Sequence, residues 1–174
     1  MSNMEKNGLS ENETMEKKTA GVCGLFCPSC SLYIGTKEEP RRLEMLAAKF
    51  KMDVKEMMCE GCRSDRVSFY CRSCHFKKCA SEKGIEFCGS CDEYPCRKLT
   101  EFQGEAPHRA ELWKSQEIIK DKGFENWFRE RKEYHSCAKC GEINSIYDSS
   151  CRKCGNTPSS PFFENHREEI ISFL

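Results

Sequence analysis

Residues 59–96 read CEGCRSDRVSFYCRSCHFKKCASEKGIEFCGSCDEYPC. The cysteines come in pairs two residues apart, and one unit, Cys-x2-Cys-x4-Cys, occurs twice with a period of 17 residues: Cys71, Cys74 and Cys79, then Cys88, Cys91 and Cys96. A Cys-x-x-Cys pair is a knuckle, because two thiolates carried on one tight turn can reach a single cation. In each unit the third thiol begins or joins a segment that reads as a short helix, over residues 80–83 and 97–101. Upstream stand Cys59-x2-Cys62 and, further out, Cys23-x3-Cys27-x2-Cys30. Eleven cysteines thus lie between Val22 and Cys96, none between Leu99 and Tyr134, and the last four between Cys137 and Cys154.

Fifteen cysteines in 174 residues, with 32% charged residues, leave few ordinary apolar side chains for one large core. Small units held by cross-links are the expected solution. The first 20 residues are polar and mixed in charge, with no apolar stretch of the kind a secretory signal carries. No run approaches the length of a membrane span. These features predict a cytoplasmic protein, where thiols stay reduced, and the odd cysteine count also disfavours a closed disulfide framework. Metal binding is then the leading use, since thiolates gathered on a cation become a cross-link that supplies folding energy. With 28 basic and 28 acidic residues, the formal charge is zero and gives no global support for a nucleic-acid or membrane partner.

The last four cysteines sit in CAKCGEINSIYDSSCRKCG, residues 137–155. Two Cys-x-x-Cys-Gly turns place Cys137, Cys140, Cys151 and Cys154 as a closed tetrathiolate, the usual structural zinc arrangement. Iron in a rubredoxin-like site is the competitor. A zinc-ribbon β-hairpin is expected, its arm running from Ile143 to Tyr147. Residues 141–150, which include that arm, carry Glu142 and Asp148 and no Lys or Arg, a poor surface for phosphate.

Elsewhere the spacing predicts a small, mainly α fold with irregular metal-stapled loops. Leu32–Ile34 continues a short helix, and a second covers 39–50, with Pro40 in its first turn and Leu43, Leu46, Ala47 and Phe50 at helical spacing. Asp53 is placed to cap a helical stretch through Met57. A helix over 107–122 buries Leu112, Trp113 and Ile119 and stops at Gly123; another over 124–134 carries Phe124, Trp127 and Phe128 on one face. These aromatics read as core. A terminal helix spans 162–174, with Phe163, Ile170, Ile171 and Leu174 sharing a face. The expected organisation is a disordered tail (1–20), a cysteine-rich metal-binding module (21–101), a two-helix connector (102–135), the ribbon (136–156) and a C-terminal helix (157–174).

For the larger module, Cys23, Cys27, Cys30, Cys59, Cys62, Cys71, Cys74, Cys79, Cys88, Cys91 and Cys96 are the candidate ligands. Three tetrathiolate sites need twelve ligands, so eleven leaves one short. His75 is a candidate twelfth, although a lone surface histidine is the commoner reading; shared thiolates and an open coordination position are the other solutions. Zinc leads, and an iron–sulfur cluster is the alternative, because thiolate spacing does not separate the two. Cys23-x3-Cys27-x2-Cys30 also matches the radical-SAM signature, but the apolar strands of that barrel are missing. The stretch 63–83 has a local surplus of four positive charges: Arg63, Arg66, Arg72, Lys77, Lys78 and Lys83 against Asp65 and Glu82. It reads as compensation for metal-bound thiolates rather than as a nucleic-acid patch.

The opening CGLFCPSCSLYIGTK, the element CEGCRSD, and FYCRSCHFKKCASEKGIEFCGSCDEYPCRKL together resemble a prokaryotic cysteine-rich family of unknown function, marked by CGLxCxxC, CxGC and two CxxCxxxxC elements. The resemblance covers about residues 21–101 and all eleven cysteines. The tail, GFENWFRERKEYHSCAKCG with CRKCG, is similar to longer members that append a zinc ribbon. It implies several zinc ions and brings no enzymatic activity. The function expected is a zinc-binding structural, interaction or regulatory module with a protein partner, the alternatives being an iron–sulfur redox or catalytic protein and a nucleic-acid-binding zinc protein. P-loop, GxGxxG and HExxH signatures are missing.

Overall fold

The computed structural model describes residues 11–174. Its helices are α1 (Glu11–Lys18), α2 (Ser31–Lys37), α3 (Pro40–Phe50), α4 (Val54–Met57), α5 (Phe69–Arg72), α6 (His75–Lys83), α7 (Arg97–Gly104), α8 (Leu112–Lys122), α9 (Phe124–Tyr134), α10 (Pro161–Asn165) and α11 (Arg167–Phe173). Single 3-10 turns occupy Cys27–Ser29, Cys88–Ser90 and Pro107–Arg109. The mainly helical expectation agrees with this. Of the expected tail, residues 1–10 lie outside the described residues, whereas 11–18 are helical and Thr19 and Ala20 are buried. Ala20 pairs in an isolated bridge with Phe26, and the Cys27 N–H donates to the Thr19 carbonyl.

The expected β-hairpin is absent: among the described residues there is no strand, only isolated bridges such as Ser136 with Ile143. The reason is where the backbone donors of the arm go. The N–H groups of Asn144 and Ile146 donate to the carbonyls of His135 and Ser29, and those of Ser145 and Tyr147 to the side chains of Asp148 and Ser145. Donors already taken by other segments cannot build a cross-strand ladder.

In α3, Leu43 and Ala47 pack on Leu32, Met57 and Cys59, as the helical spacing requires. Asp53 accepts the Lys55 N–H at 2.7 Å and caps α4. Phe50 is exposed at the end of α3, where it meets the rings of Phe69 and Tyr70.

The connector helices lie on the cysteine-rich module. Trp127 and Phe128 of α9 pack with Ala20, Phe26 and Phe87, and Leu112 of α8 packs with Val22, Cys23, Cys62, Phe76 and Leu99. One expected core residue is not core: Trp113 is 48% exposed, and the buried face of α8 is Leu112, Ser115 and Gln116. Small and polar residues face inward because α8 lies directly on two glycines. A Cβ at Gly24 would stand 3.0 Å from Ser115 Cβ and from Gln116 Nε2, and one at Gly89 would stand 2.9 Å from Gln116 Oε1 and 3.1 Å from its carbonyl oxygen. Gly89→Ala is therefore expected to push α8 outward and destabilise the fold by about 1–3 kcal/mol. Gly104→Ala, with open space around the added methyl, should stabilise it by about 0.4–1 kcal/mol. Urea midpoints of the two variants, moving in opposite directions, check this.

The terminal helix is also divided. His166 separates α10 from α11, its ring against Phe162 with centroids 4.6 Å apart. The break changes which face is covered: Phe162, Phe163 and Ile170 join Ile146 in a small core, while Ile171 and Leu174 are exposed. No helix of the described residues is long and apolar enough to cross a membrane.

Candidate metal centres

The two C-terminal knuckles are built alike. The Gly141 N–H donates to the Cys137 carbonyl at 2.8 Å, and the Gly155 N–H to the Cys151 carbonyl at 2.9 Å. Both glycines have positive φ, 73° and 71°, where a side chain would be strained. The Cys137 N–H closes on the Glu142 carbonyl and the Cys151 N–H on the Asn156 carbonyl, both at 2.8 Å. Each turn thus presents two thiols on one side, and the two turns face each other.

All four sulfurs lie within 4.8 Å of one another, with Cys137–Cys154 at 3.7 Å and Cys140–Cys151 at 3.6 Å. A tetrahedron with metal–sulfur bonds of about 2.3 Å has edges of about 3.8 Å, so the thiols match that geometry. Burial pushes the Cys151 thiol up, but the backbone N–H groups of Cys154 and Lys153 and the thiols of Cys140 and Cys154 outweigh it and bring it to about 6. Cys137 and Cys151 are buried, Cys140 and Cys154 exposed. This four-cysteine cluster can hold a metal ion, and its four protein ligands leave no position for substrate.

Polar clamps tie this cluster to the first module. Arg42 of α3 donates two bonds to Asp148, at 2.8 and 2.9 Å. Arg152 pairs with Glu38, Glu39 and Glu142. The acidic residues of the expected arm are therefore consumed internally.

The eleven other thiols are arranged differently. Cys27 opens a 3-10 turn and Cys30 precedes α2; Cys71 lies in α5; Cys74 precedes α6 and Cys79 lies within it; Cys88 opens the second 3-10 turn with Cys91 just after; Cys96 precedes α7. Cys23, Cys59 and Cys62 are buried. Among the described residues, no three of these sulfurs lie within 4.8 Å of one another. Burial pushes Cys71 up to about 12, with the thiols of Cys59, Cys62 and Cys30 adding to it. Burial pushes Cys88 up to about 12 as well, with Cys96, Cys79, Cys91 and Cys74 adding to it. These neighbours show which thiols the fold brings near one another: Cys59, Cys62, Cys71 and Cys30 on one side, and Cys74, Cys79, Cys88, Cys91 and Cys96 on the other, with Cys23, near Cys62, Cys74 and Cys88, between them. Cys71 and Cys88 would each need a cation to ionise at neutral pH.

The local positive charges are largely engaged. Arg63 donates to the carbonyls of Ala20 and Glu86 and lies over the Phe87 ring. Arg72 pairs with Glu56, and Lys78 with Glu82. Lys83 Nζ reaches Glu93 at 2.8 Å and the Cys91 sulfur at 3.2 Å. His75 does not join a compact group of ligand atoms.

Two functional features are missing from the spacing argument. The first is a second repeat, Phe-Cys-x-Ser-Cys, at 26–30 and 87–91. Both copies form 3-10 turns closed by the second cysteine's N–H on the first cysteine's carbonyl, at 2.9 and 3.1 Å. The phenylalanine preceding each cysteine carried the signal. The second feature is Gln116, fully buried, which accepts the Gly89 N–H at 2.7 Å and donates to the Val22 carbonyl at 3.0 Å. It joins the residue before Cys23 to the 88–91 turn, and nothing local marks a mid-helix glutamine for that role.

Residues 19–101 match a family described as "Protein of unknown function (DUF3795)". The match covers the eleven-cysteine module and agrees with the extent of the resemblance read from its motifs. No curated protein and no solved structure matches the chain.

Proposed function

We propose that this is a cytoplasmic zinc-binding protein whose C-terminal tetrathiol is a structural zinc site, and whose role is to present a folded surface to a protein partner. The observation that carries the metal reading is the set of four sulfurs within 4.8 Å of one another, two of the edges at 3.6 and 3.7 Å. Zinc suits it because four protein thiolates give a closed tetrahedral site, the form zinc takes when its role is structural. A site of that kind offers no Lewis-acid position, which supports a binding role over catalysis at this centre. Nucleic acid is the weaker partner, since cations of the 63–83 stretch are held by carboxylates, carbonyls and a cysteine sulfur.

The test is metal content per chain after purification without oxygen. One zinc equivalent should disappear in Cys140→Ser, and the bound metal at this site should be colourless. A rubredoxin-like iron chromophore lost in the same variant would replace zinc with iron. Native protein whose Cys140 and Cys154 alkylate at the rate of free thiols in the presence of zinc would end the metal reading of this site.

A further inference from the structure

Between α7 and α8 the surface opens into a groove of about 370 Å³, lined chiefly by Tyr94, Leu99, Gln103, Trp113 and Glu117. Its floor is the buried Leu99. Two hydrogen bonds fix the aromatic walls: the Tyr94 hydroxyl donates to the Trp113 carbonyl at 3.0 Å, and the Trp113 N–H donates to Gln103 Oε1 at 2.9 Å. Trp113 lines the groove while remaining half exposed. Glu117 follows one turn later on α8 and is also exposed. Among the described residues it pairs with no lysine, arginine or histidine, whereas nearby Arg97 and Lys114 are engaged by Glu101 and Glu111.

The chain itself shows what such a set of groups holds. The Arg109 guanidinium lies 3.7 Å from the centre of the Phe102 ring and pairs with Glu105. That of Arg131 lies 4.8 Å from the centre of the Tyr134 ring and pairs with Glu111 at 2.9 Å. In each case an aromatic face and a carboxylate close on one guanidinium. Tyr94, Trp113 and Glu117 offer the same components, yet no cation of the described residues lies over either ring. We propose that this groove takes an arginine side chain presented by a partner protein. A guanidinium suits it better than an ammonium, because its flat face stacks on an indole, its fork matches a carboxylate, and it is less strongly hydrated. The volume is at the lower end of the range of about 300–1,000 Å³ for ligand sites, which fits one long side chain rather than a folded element. The proposal rests on reading the chain as one that presents a surface to a protein partner, and it needs no particular metal.

The experiment titrates the full-length chain with a short peptide carrying one arginine between glycines, acetylated and amidated at its ends, and follows the indole N–H signals by NMR. The chain has two tryptophans, and Trp127 is fully buried, so loss of one signal in Trp113→Phe assigns the pair. The arginine peptide should shift the Trp113 signal saturably and leave that of Trp127 in place. The matching citrulline peptide, which keeps the shape and lacks the charge, should not bind, and the lysine peptide should bind more weakly. Glu117→Gln should weaken the arginine peptide about two- to fivefold, and Trp113→Ala, read by calorimetry, about two- to fivefold. Both side chains are exposed, so the urea midpoints should stay in place and separate a lost contact from a lost fold. The proposal is overturned if the arginine peptide does not bind at millimolar concentration, if the citrulline or lysine peptide binds as tightly, or if Glu117→Gln leaves the affinity unchanged. Binding of free arginine without binding of the peptide would also overturn it, since the groove would then serve a small molecule. Such a failure in protein that keeps its Cys140-dependent zinc leaves the structural-zinc reading intact, whereas peptide binding by a chain purified without zinc sinks that reading and leaves this proposal standing.

Discussion

If the C-terminal tetrathiol holds zinc as proposed, stripping it with a strong chelator is expected to open residues 136–174 while the helices α8 and α9 stay folded. The magnitudes decide this. The apolar core of that region is only Ile146, Phe162, Phe163 and Ile170, at about 1.5–3 kcal/mol per buried side chain. A structural zinc site contributes apparent free energies on the order of 10–16 kcal/mol, so a zinc ion held here would stabilise this region more than its side-chain packing does. The clamps from Arg42 to Asp148 and from Arg152 to Glu38 and Glu39 depend on the loop geometry that the thiolates impose. Trypsin reports the change directly, because Lys139, Arg152 and Lys153 all lie inside the knuckles. Zinc-loaded protein should resist cleavage at these positions, and chelated protein should be cut there first. Continued resistance after measured loss of zinc would show that side-chain packing, not metal, holds the region.

Trp127→Ala should produce the second large effect, a loss of about 3–5 kcal/mol, comparable with the whole stability of a small domain. Trp127 is fully buried and packs edge-on to Phe26 at 6.2 Å and tilted to Phe87 at 6.4 Å. These phenylalanines directly precede Cys27 and Cys88, so the indole is a wedge between the two Phe-Cys-x-Ser-Cys turns. Removing it should therefore disturb both turns as well as α9, and metal retention in the first module should fall along with the urea midpoint. Trp127→Phe is expected to be milder, since most of the packing remains and the indole N–H has no hydrogen-bond partner among the described residues. An alanine variant with unchanged midpoint and metal content would remove Trp127 from the core that positions the thiols.

The contrast between the two cysteine sets explains how far local sequence reaches. A Cys-x-x-Cys-Gly turn is a five-residue object: its hydrogen bond, its positive φ at glycine and the side to which its sulfurs point are all settled within itself. Two such turns ten residues apart have few ways to avoid meeting, so Cys137, Cys140, Cys151 and Cys154 are legible as one group. The ribbon around them is not. The partners of the 143–147 backbone are His135, Ser29 and nearby side chains, and only docking on the 27–29 turn and the residue just after α9 makes the first two available.

Sequence alone thus determined what depends on neighbours within a turn or two: α3 with its Leu43 and Ala47 stripe, the Asp53 cap, the aromatic face of α9, and the grouping of the four C-terminal cysteines. Tertiary structure decided what depends on which surfaces meet. It turned Trp113 outward, because α8 lies against Gly24 and Gly89 and the contact admits only Ser115 and Gln116. It broke the terminal helix at His166, where the ring packs on Phe162. It also brought Cys79 of one repeat to a small cavity lined by Cys88, Cys91 and Cys96 of the next. Spacing along a chain says that two thiols can share a cation; a fold is needed to say which distant thiols stand beside them.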